Sequence, residues 1–404
     1  MSTIVNPFFS GINIPNEFFC DRKKETEQVI KWLNNGFNIV LKSPRRLGKS
    51  SLIQHILKQD EITNHYNTIY IDIYGTKDLF EFMNEFQKAF LDASFAKTAR
   101  GKKKLGELFQ GLYLQMNLTS DGRPGAFRLG LGPVTNTSLP LQDMFRFLGK
   151  TEKPNIVVFD EFQVINEYPE KAAAIIRSHV QQMNNTRFIF AGSARHLLTQ
   201  MFEYHNEPFY RSATPLDLDI IPQEAYSDFC QDMFSKYGKS IDLEAIHLVY
   251  DLLSGNTYDM QEVMKHLFYR TPQKERATIV SVKETINAIL DNRETEFREV
   301  MSRINKQKDR RTLHCIALEG IATGLTSSHI MKQYGLDNAS SVQNALRSLS
   351  SDGFRLIQPL GKATYSLENR FLELWLARNN GLLENKFDHA EERFQRERNL
   401  THPA

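Results

Sequence analysis

The segment Ile39-Val40-Leu41-Lys42-Ser43-Pro44-Arg45-Arg46-Leu47-Gly48-Lys49-Ser50-Ser51-Leu52 constrains the fold more than any other stretch of the chain. A short apolar run rich in β-branched residues stops at a turn containing Pro44 and Gly48. Helical spacing (Leu52, Ile53, Ile56, Leu57) begins just after it. That order of strand, loop and helix gives the pattern G-x-x-x-x-G-K-[ST] its physical meaning. The loop's N–H groups and the positive end of the helix converge on one point, which favours a bound polyphosphate. The spacing predicts that Ser43, Pro44, Arg45, Arg46, Leu47, Gly48, Lys49, Ser50 and Ser51 wrap the phosphates. Lys49 is expected on the β- and γ-phosphate oxygens and the Ser50 hydroxyl on Mg²⁺. Gly48 lets the backbone approach without a Cβ in the way. Ser43 stands where the pattern has its first Gly, so the strand–loop–helix context carries the reading. The alternative is a surface turn.

A second stretch, Asn155-Ile156-Val157-Val158-Phe159-Asp160-Glu161-Phe162-Gln163, complements the first. Four apolar residues in a row fit a strand buried on both faces of a parallel sheet, and open α/β sheets bind ligands at strand C-termini. Side chains alternate along a strand, so the two carboxylates need not share a job. Asp160 is expected in the Mg²⁺ shell through water, and Glu161 is expected to orient and deprotonate an attacking water. Alone, the pair could be two solvated carboxylates. With Lys49 and Ser50 in the same chain, it describes a nucleotide site.

Thr186–Ala191 reads as another apolar strand, ending in Gly192-Ser193-Ala194-Arg195. Ser193 could sense the γ-phosphate or place the water, or it could cap the following helix. Residues 207–221 read as a last strand with alternating Leu216, Leu218 and Ile220. Arg211 there could stabilise charge on the transferred phosphoryl group, or be a surface arginine beside an edge strand. Helices are expected at Lys23–Asn34, Leu79–Phe95, Leu141–Leu148 and Lys171–Asn184, and a further strand in Asn67–Gly75. Phe80, Phe82, Phe86 and Phe90 of the second helix read as core rather than as a platform for bases. The alternation predicts an α/β fold over residues 1–221, a P-loop NTPase with a parallel, doubly wound sheet.

Composition narrows the class. The chain has 404 residues, 41% hydrophobic and 24% charged, enough for more than one domain with a sizeable core. A net charge of +2 does not itself argue for nucleic acid. Cys20, Cys230 and Cys315 are odd in number and far apart, which suits a reducing compartment and offers no disulfide framework or zinc spacing. No apolar run of about 18 residues occurs. Met1–Asn6 lacks the regions of a signal peptide, so a cytoplasmic protein without a membrane partner is expected. Within residues 97–137 glycines recur beside Lys102-Lys103-Lys104, and alternation around Ala126–Val134 suggests a hairpin. That piece is either a basic loop touching a partner or a solvated insertion.

From Pro222 the texture becomes helical only: Ala225–Tyr237, Leu243–Leu253, Asp259–Phe268 and Val282–Ile304, an all-α module over residues 222–305 that could cover the nucleotide as a lid. Residues 306–380 read differently. Helices at Arg311–Ile321, Ser327–Tyr334 and Ser340–Leu349 are followed by strands at Phe354–Leu360 and Ala363–Leu367, which is a winged helix. Ser341, Gln343, Asn344 and Arg347 on its third helix, with Lys362 in the wing, could reach bases or phosphates of double-stranded DNA. Many winged helices instead pack against proteins. Residues 381–404 are a charged tail, expected as a solvated helix or a frayed end.

These residues suggest a family. Ser43–Ser50 resembles the G-P-R-R-x-G-K-[TS] loop of the archaeal-type ATPases, a group close to the STAND and Orc/Cdc6-like branches of the AAA+ superfamily. Asp160-Glu161-Phe162-Gln163 resembles their second acidic motif. Phe19-Cys20-Asp21-Arg22-Lys23-Lys24-Glu25 is similar to a leading F-x-x-R-x-x-E segment that lies near the adenine in the family, which implies a nucleotide contact for Arg22. Gly192-Ser193 and Pro208-Phe209-Tyr210-Arg211 match the strand-end serine and, one residue shorter, the P-L-[YF]-x-R segment. Tyr365-Ser366-Leu367 and Phe371–Leu376 are similar to the closing wing strand and F-x-x-W-L helix. Gly255-Asn256-Thr257 lacks the Pro of the family's G-x-P lid motif, and Asn369 stands where an Asp often precedes the last helix. The resemblance implies ATP as the nucleotide; with the Mg²⁺ expected from Ser50 and Asp160, a slow ATPase is expected. No N-K-x-D guanine motif appears within residues 1–221, where the nucleotide sheet is expected, and no nuclease activity of the kind some relatives carry is expected. Two partner readings stay open: a switch acting on DNA, and a STAND-like scaffold that assembles with a protein partner or with itself.

Overall fold

Every residue of the strand Asn155–Asp160 is buried, and its side chains enter two different cores: Val157 and Phe159 one, Ile156 and Val158 the other. Two-sided burial marks an interior strand of a parallel sheet. The computed structural model, which describes residues 5–93, 138–351 and 354–401, contains that sheet. Lys102-Lys103-Lys104 and the stretch Ala126–Val134 lie outside the described residues. Strands β1 (Ile39–Lys42), β2 (Asn67–Asp72), β3 (Asn155–Asp160), β4 (Thr186–Gly192) and β5 (Thr214–Asp217) take the order β2-β3-β4-β1-β5, all neighbours parallel. Helices α1 (Lys23–Asn34), α2 (Lys49–Leu57) and α3 (Asp60–His65) share a core with Ile39, Leu41 and Ile189 through Leu33, Leu52 and Ile62. Helices α4 (Leu79–Asp92), α5 (Ser138–Gly149), α6 (Ala172–Val180) and α7 (Arg195–Glu203) share the other with Phe159, Phe188 and Phe190. Phe82, Phe86 and Phe90 are fully buried in it, as their helical spacing implies.

These elements form one compact unit, Ile12–Asp219. Its last strand is shorter than the alternation predicts. Residues 214–217 pair with β1, whereas the preceding residues turn, because Arg211 takes a left-handed φ of 54° and Phe209 buries its ring among Phe162, Phe190 and Phe202.

The described residues of 1–11 and 220–404 form a second unit. It begins with α8 (Gln223–Lys236), α9 (Leu243–Leu252), α10 (Thr257–Arg270), α11 (Ile279–Asn292) and α12 (Glu294–Arg303). The stretch is not helical throughout: β6 (Ser240–Ile241) and β7 (Arg276–Ala277) pair in parallel. Val282–Ile304, expected as one helix, is two. Arg293, at φ −102° and ψ 5°, ends the first, and its guanidinium packs 5.2 Å from the Phe297 and Phe371 ring centres. Gly255 takes φ 68° with no room for a side chain beside Ile220, and Asn256 caps α10, so a Pro is not needed there to start the helix.

The winged helix follows: α13 (Gln307–Glu319), β8 (Ile321–Thr323), α14 (Ser328–Gln333), α15 (Ala339–Ser350), β9 (Ile357–Gly361) and β10 (Thr364–Leu367), with β10 antiparallel between β8 and β9. Gly320 at φ 72° stops α13, which puts Ile321 in a strand instead of the helix. The Asn369 side chain caps α16 (Arg370–Asn379), which buries Phe371, Leu372, Trp375 and Leu376.

The charged tail is not a solvated end. In α17 (Leu383–Thr401), Leu383, Phe387, Ala390 and Phe394 form a buried stripe, Phe394 packs edge-on against His247, and Lys283 pairs with Glu391 at 2.7 Å. The surrounding charges mask that stripe in the sequence. Phe387→Ala is expected to destabilise the protein by about 3 kcal/mol, measured as a lower urea midpoint.

No helix among the described residues is long and apolar enough to cross a membrane. All three cysteines are buried, and none forms a disulfide.

Candidate active site

Parallel strands end side by side, so whatever follows β1, β3 and β4 meets at one edge of the sheet. β1 runs into residues 43–48, and Gly48, at φ 86°, begins α2. A Cβ built at Gly48 meets nothing within 4 Å. The glycine thus supplies the left-handed turn and keeps open a space on the loop that a side chain would fill. Ser43 is not in a left-handed conformation, so glycine is not required there. Its amide donates to the Gly192 carbonyl at 3.3 Å and its hydroxyl to the Pro44 carbonyl at 2.8 Å.

Lys49 and Asp160 form a buried ion pair, the two side chains 6% and 3% exposed. Ser50 Oγ donates to Asp160 Oδ2 at 2.6 Å, and the Tyr70 hydroxyl donates to the same oxygen. Lys49 Nζ also lies 3.2 Å from Glu161 Oε1. Adjacent strand residues would point to opposite faces. Glu161 instead takes a left-handed φ of 56°, and both neighbouring carboxylates reach one ammonium. Glu161 Oε2 accepts from Gln163 Nε2 at 2.6 Å, Ser193 Oγ at 2.8 Å and Ser193 N at 3.4 Å, while Arg45 Nε donates to Ser193 Oγ at 3.3 Å.

Burial pushes both carboxyls up, but the Lys49 charge and the donated hydrogen bonds outweigh it and hold both below the usual carboxylate range. For Asp160 the donors are Lys49, Ser50 and Tyr70; for Glu161 they are Gln163 and Ser193. Burial, then the Asp160 charge, raises the Tyr70 hydroxyl, which keeps it a proton donor. Asp72, paired in register with Asp160 across β2 and β3, is also pushed up by burial.

The structure therefore brings Arg45, Lys49, Ser50, Asp160, Glu161 and Ser193 together. Ser193 does not cap α7, whose N-cap is Ala194; its hydroxyl goes to Glu161. Arg22 braces the loop: its guanidinium bonds Glu25 at 2.9 Å, the Leu47 carbonyl at 3.5 Å and the Asp219 carbonyl at 2.5 Å, tying the phosphate loop to the residues just after β5. Arg211 is exposed and stacks 5.0 Å from the Tyr210 ring centre. Among the described residues no hydrogen bond or ion pair joins it to Lys49, Asp160 or Glu161. In the second unit, Gln343, Asn344 and Arg347 are exposed on α15, Ser341 is half-buried, and Lys362 is exposed between β9 and β10.

Sequence reasoning missed three contributors. Tyr70 reads only as the polar side of a strand alternation, and its role appears once β2 and β3 are in register. Gln163 reads only as a letter of the acidic motif. Lys42 looks like the polar end of β1, but its ammonium is buried against Glu203 at 2.5 Å, Thr199 at 3.2 Å and Asp217 at 3.5 Å, joining β1 to α7 and β5.

Comparison with known proteins agrees with this geometry. Residues 19–263 match the family described as an ATPase domain predominantly from Archaea, and residues 295–378 match a probable winged helix domain. No curated protein sequence matches the chain. Among solved structures, a Walker-type ATPase of Pyrococcus abyssi is 18% identical with a TM-score of 0.58, covering 92% of this chain and 99% of its own. The ORC2 protein of Aeropyrum pernix, in ADPNP–ADP complexes, is 13% identical with a TM-score of 0.53, covering 93% and 94%. These two likenesses are of fold. The family match spans more than half of the sequence, and the chain belongs to this predominantly archaeal ATPase family: it is a P-loop ATPase with a C-terminal winged helix domain.

Proposed function

We propose that the protein is a nucleotide-driven switch that binds and slowly hydrolyses ATP with Mg²⁺ and, through its winged helix, couples nucleotide state to binding of double-stranded DNA. Adenine preference is supported by the family match and by the adenine nucleotides bound to the similar ORC2 fold. In this reading Lys49 holds the β- and γ-phosphates, and Arg45, Arg46 and the amides of residues 45–51 surround them. Ser50 and Asp160 present hard oxygen donors 2.6 Å apart, which fit Mg²⁺. No cluster of three or more His, Cys, Asp or Glu suited to a metal occurs among the described residues, so the ion would share its shell with phosphate and water oxygens. When bound, Mg²⁺ supplies charge neutralisation on the phosphates. Glu161 orients the attacking water and takes its proton, and Ser193 keeps that carboxylate in place. Buried cysteines outside any disulfide suit a cytoplasmic setting.

The observation that carries the DNA half is the face of α15. Val342, Ala345, Leu346 and Leu349 are buried, which turns Gln343, Asn344 and Arg347 outward together, with Lys362 exposed in the wing. Amide and guanidinium groups on one helix face are the donors and acceptors that read base edges and phosphates. The test is duplex binding across a salt series, with and without ATP. Arg347→Ala is expected to weaken binding at low salt and to reduce the log–log salt slope by about 1 if the contact is to phosphate. Absence of binding at low salt, with an ATP-dependent change in particle size, would replace this reading with a scaffold that assembles on nucleotide binding.

A further inference from the structure

We propose that Gln163 is a positioning residue for hydrolysis, holding the Glu161 carboxylate by one oxygen so that the other faces the water. The proposal rests on the reading of Glu161 as the general base. Three donors converge on Glu161 Oε2: Gln163 Nε2, Ser193 Oγ and Ser193 N. Glu161 Oε1 meets Lys49 instead. The division leaves one oxygen with its acceptor capacity used and the other directed at the cation that would hold the phosphates.

Gln163 is built for this role at a cost. It is 5% exposed, and its carbonyl Oε1 has no hydrogen-bond partner among the described residues. Turning the amide over would set that oxygen against the carboxylate, so its orientation is dictated by Glu161. The unpartnered oxygen lies against Gly192, where an added Cβ would collide with it and come within 3.0 Å of Leu198 Cδ1. Glycine at the tip of β4 is what leaves room for the Gln163 side chain. The same Gly192 accepts, through its carbonyl, the amide of Ser43, the first residue of the phosphate loop. Gln163 therefore braces the base against the strand end that touches the loop.

Gln163→Met keeps length and apolar volume and removes the donor. The expected result is a fall of about 10-fold in kcat with KM for ATP within about twofold, because the substitution disorders an oxygen that acts on water and not on nucleotide binding. Added to Glu161→Gln, it should lower the residual rate by less than about twofold, since the group it positions no longer acts as a base. Gly192→Ala, which displaces the amide from the other side, should reproduce the kcat loss and carries the test if Gln163→Met does not fold. An unchanged kcat in both variants overturns the proposal while leaving Glu161 as the base. A loss of equal size in the Glu161→Gln background also overturns it, by showing that Gln163 acts elsewhere. If Glu161→Gln itself leaves turnover unchanged, the base reading fails and the positioning role with it.

Discussion

Glu161→Gln is expected to lower ATP turnover by on the order of 10²-fold or more while ATP binding stays within about threefold. The substitution keeps size, so the packing around the acidic turn should survive. It removes the charge that meets Lys49 at 3.2 Å and the oxygen that would take a proton. An amide can still orient water, but it cannot accept the proton at neutral pH. Steady-state turnover, with ATP affinity measured separately by titration calorimetry, separates the two effects. A turnover number that falls less than about threefold would mean that the chemistry does not pass through this carboxylate.

Lys49→Met is expected to weaken ATP binding by on the order of 10²-fold or more, since charge-assisted contacts to phosphate oxygens are lost together. It has a second consequence that Glu161→Gln lacks. Asp160 is 3% exposed as a side chain, and Lys49 is the cation that offsets its burial. Without that cation, two neighbouring carboxylates share a buried site, and the protein should lose about 3 kcal/mol of stability at neutral pH. The direction of the linkage is set by the lowered carboxylates: their contribution is present above the ordinary carboxylate range and is lost as pH falls through the folded values. The substitution therefore narrows the stability difference between neutral and acid pH. Thermal melts at both pH values test this, and an equal loss at each would show that Lys49 is not what holds the carboxylates ionised.

Local patterns made the position of the candidate site legible. Lys49 and Ser50 follow a strand and open a helix, and Asp160 and Glu161 close a run of apolar residues, so spacing and burial alone placed them at strand ends. The Phe stripe of α4 was readable as core for the same reason. Patterns failed where a charge or a turn interrupted them. Arg293 splits an apparently continuous helix, the turn at Phe209 and Arg211 shortens the last strand, and the charges of α17 conceal its buried Leu383, Phe387, Ala390 and Phe394. The bonds from the Arg22 guanidinium to the carbonyls of Leu47 and Asp219 had no signal in the sequence either, because both partners are backbone atoms.

Sequence by itself determined most of the elements of the nucleotide sheet and the candidates Lys49, Ser50, Asp160 and Glu161, because hydrophobic period and turn chemistry act over a few residues. Tertiary structure alone decided which groups meet. Tyr70 reaches Asp160 only through strand register, Glu161 joins Asp160 at one ammonium only through a left-handed backbone turn, and Gln163 reaches it only because Gly192 leaves space. Tyr70 and Gly192 come from strands distant in the chain that flank β3, and hydrophobic periodicity encodes neither their pairing nor the backbone turn at Glu161.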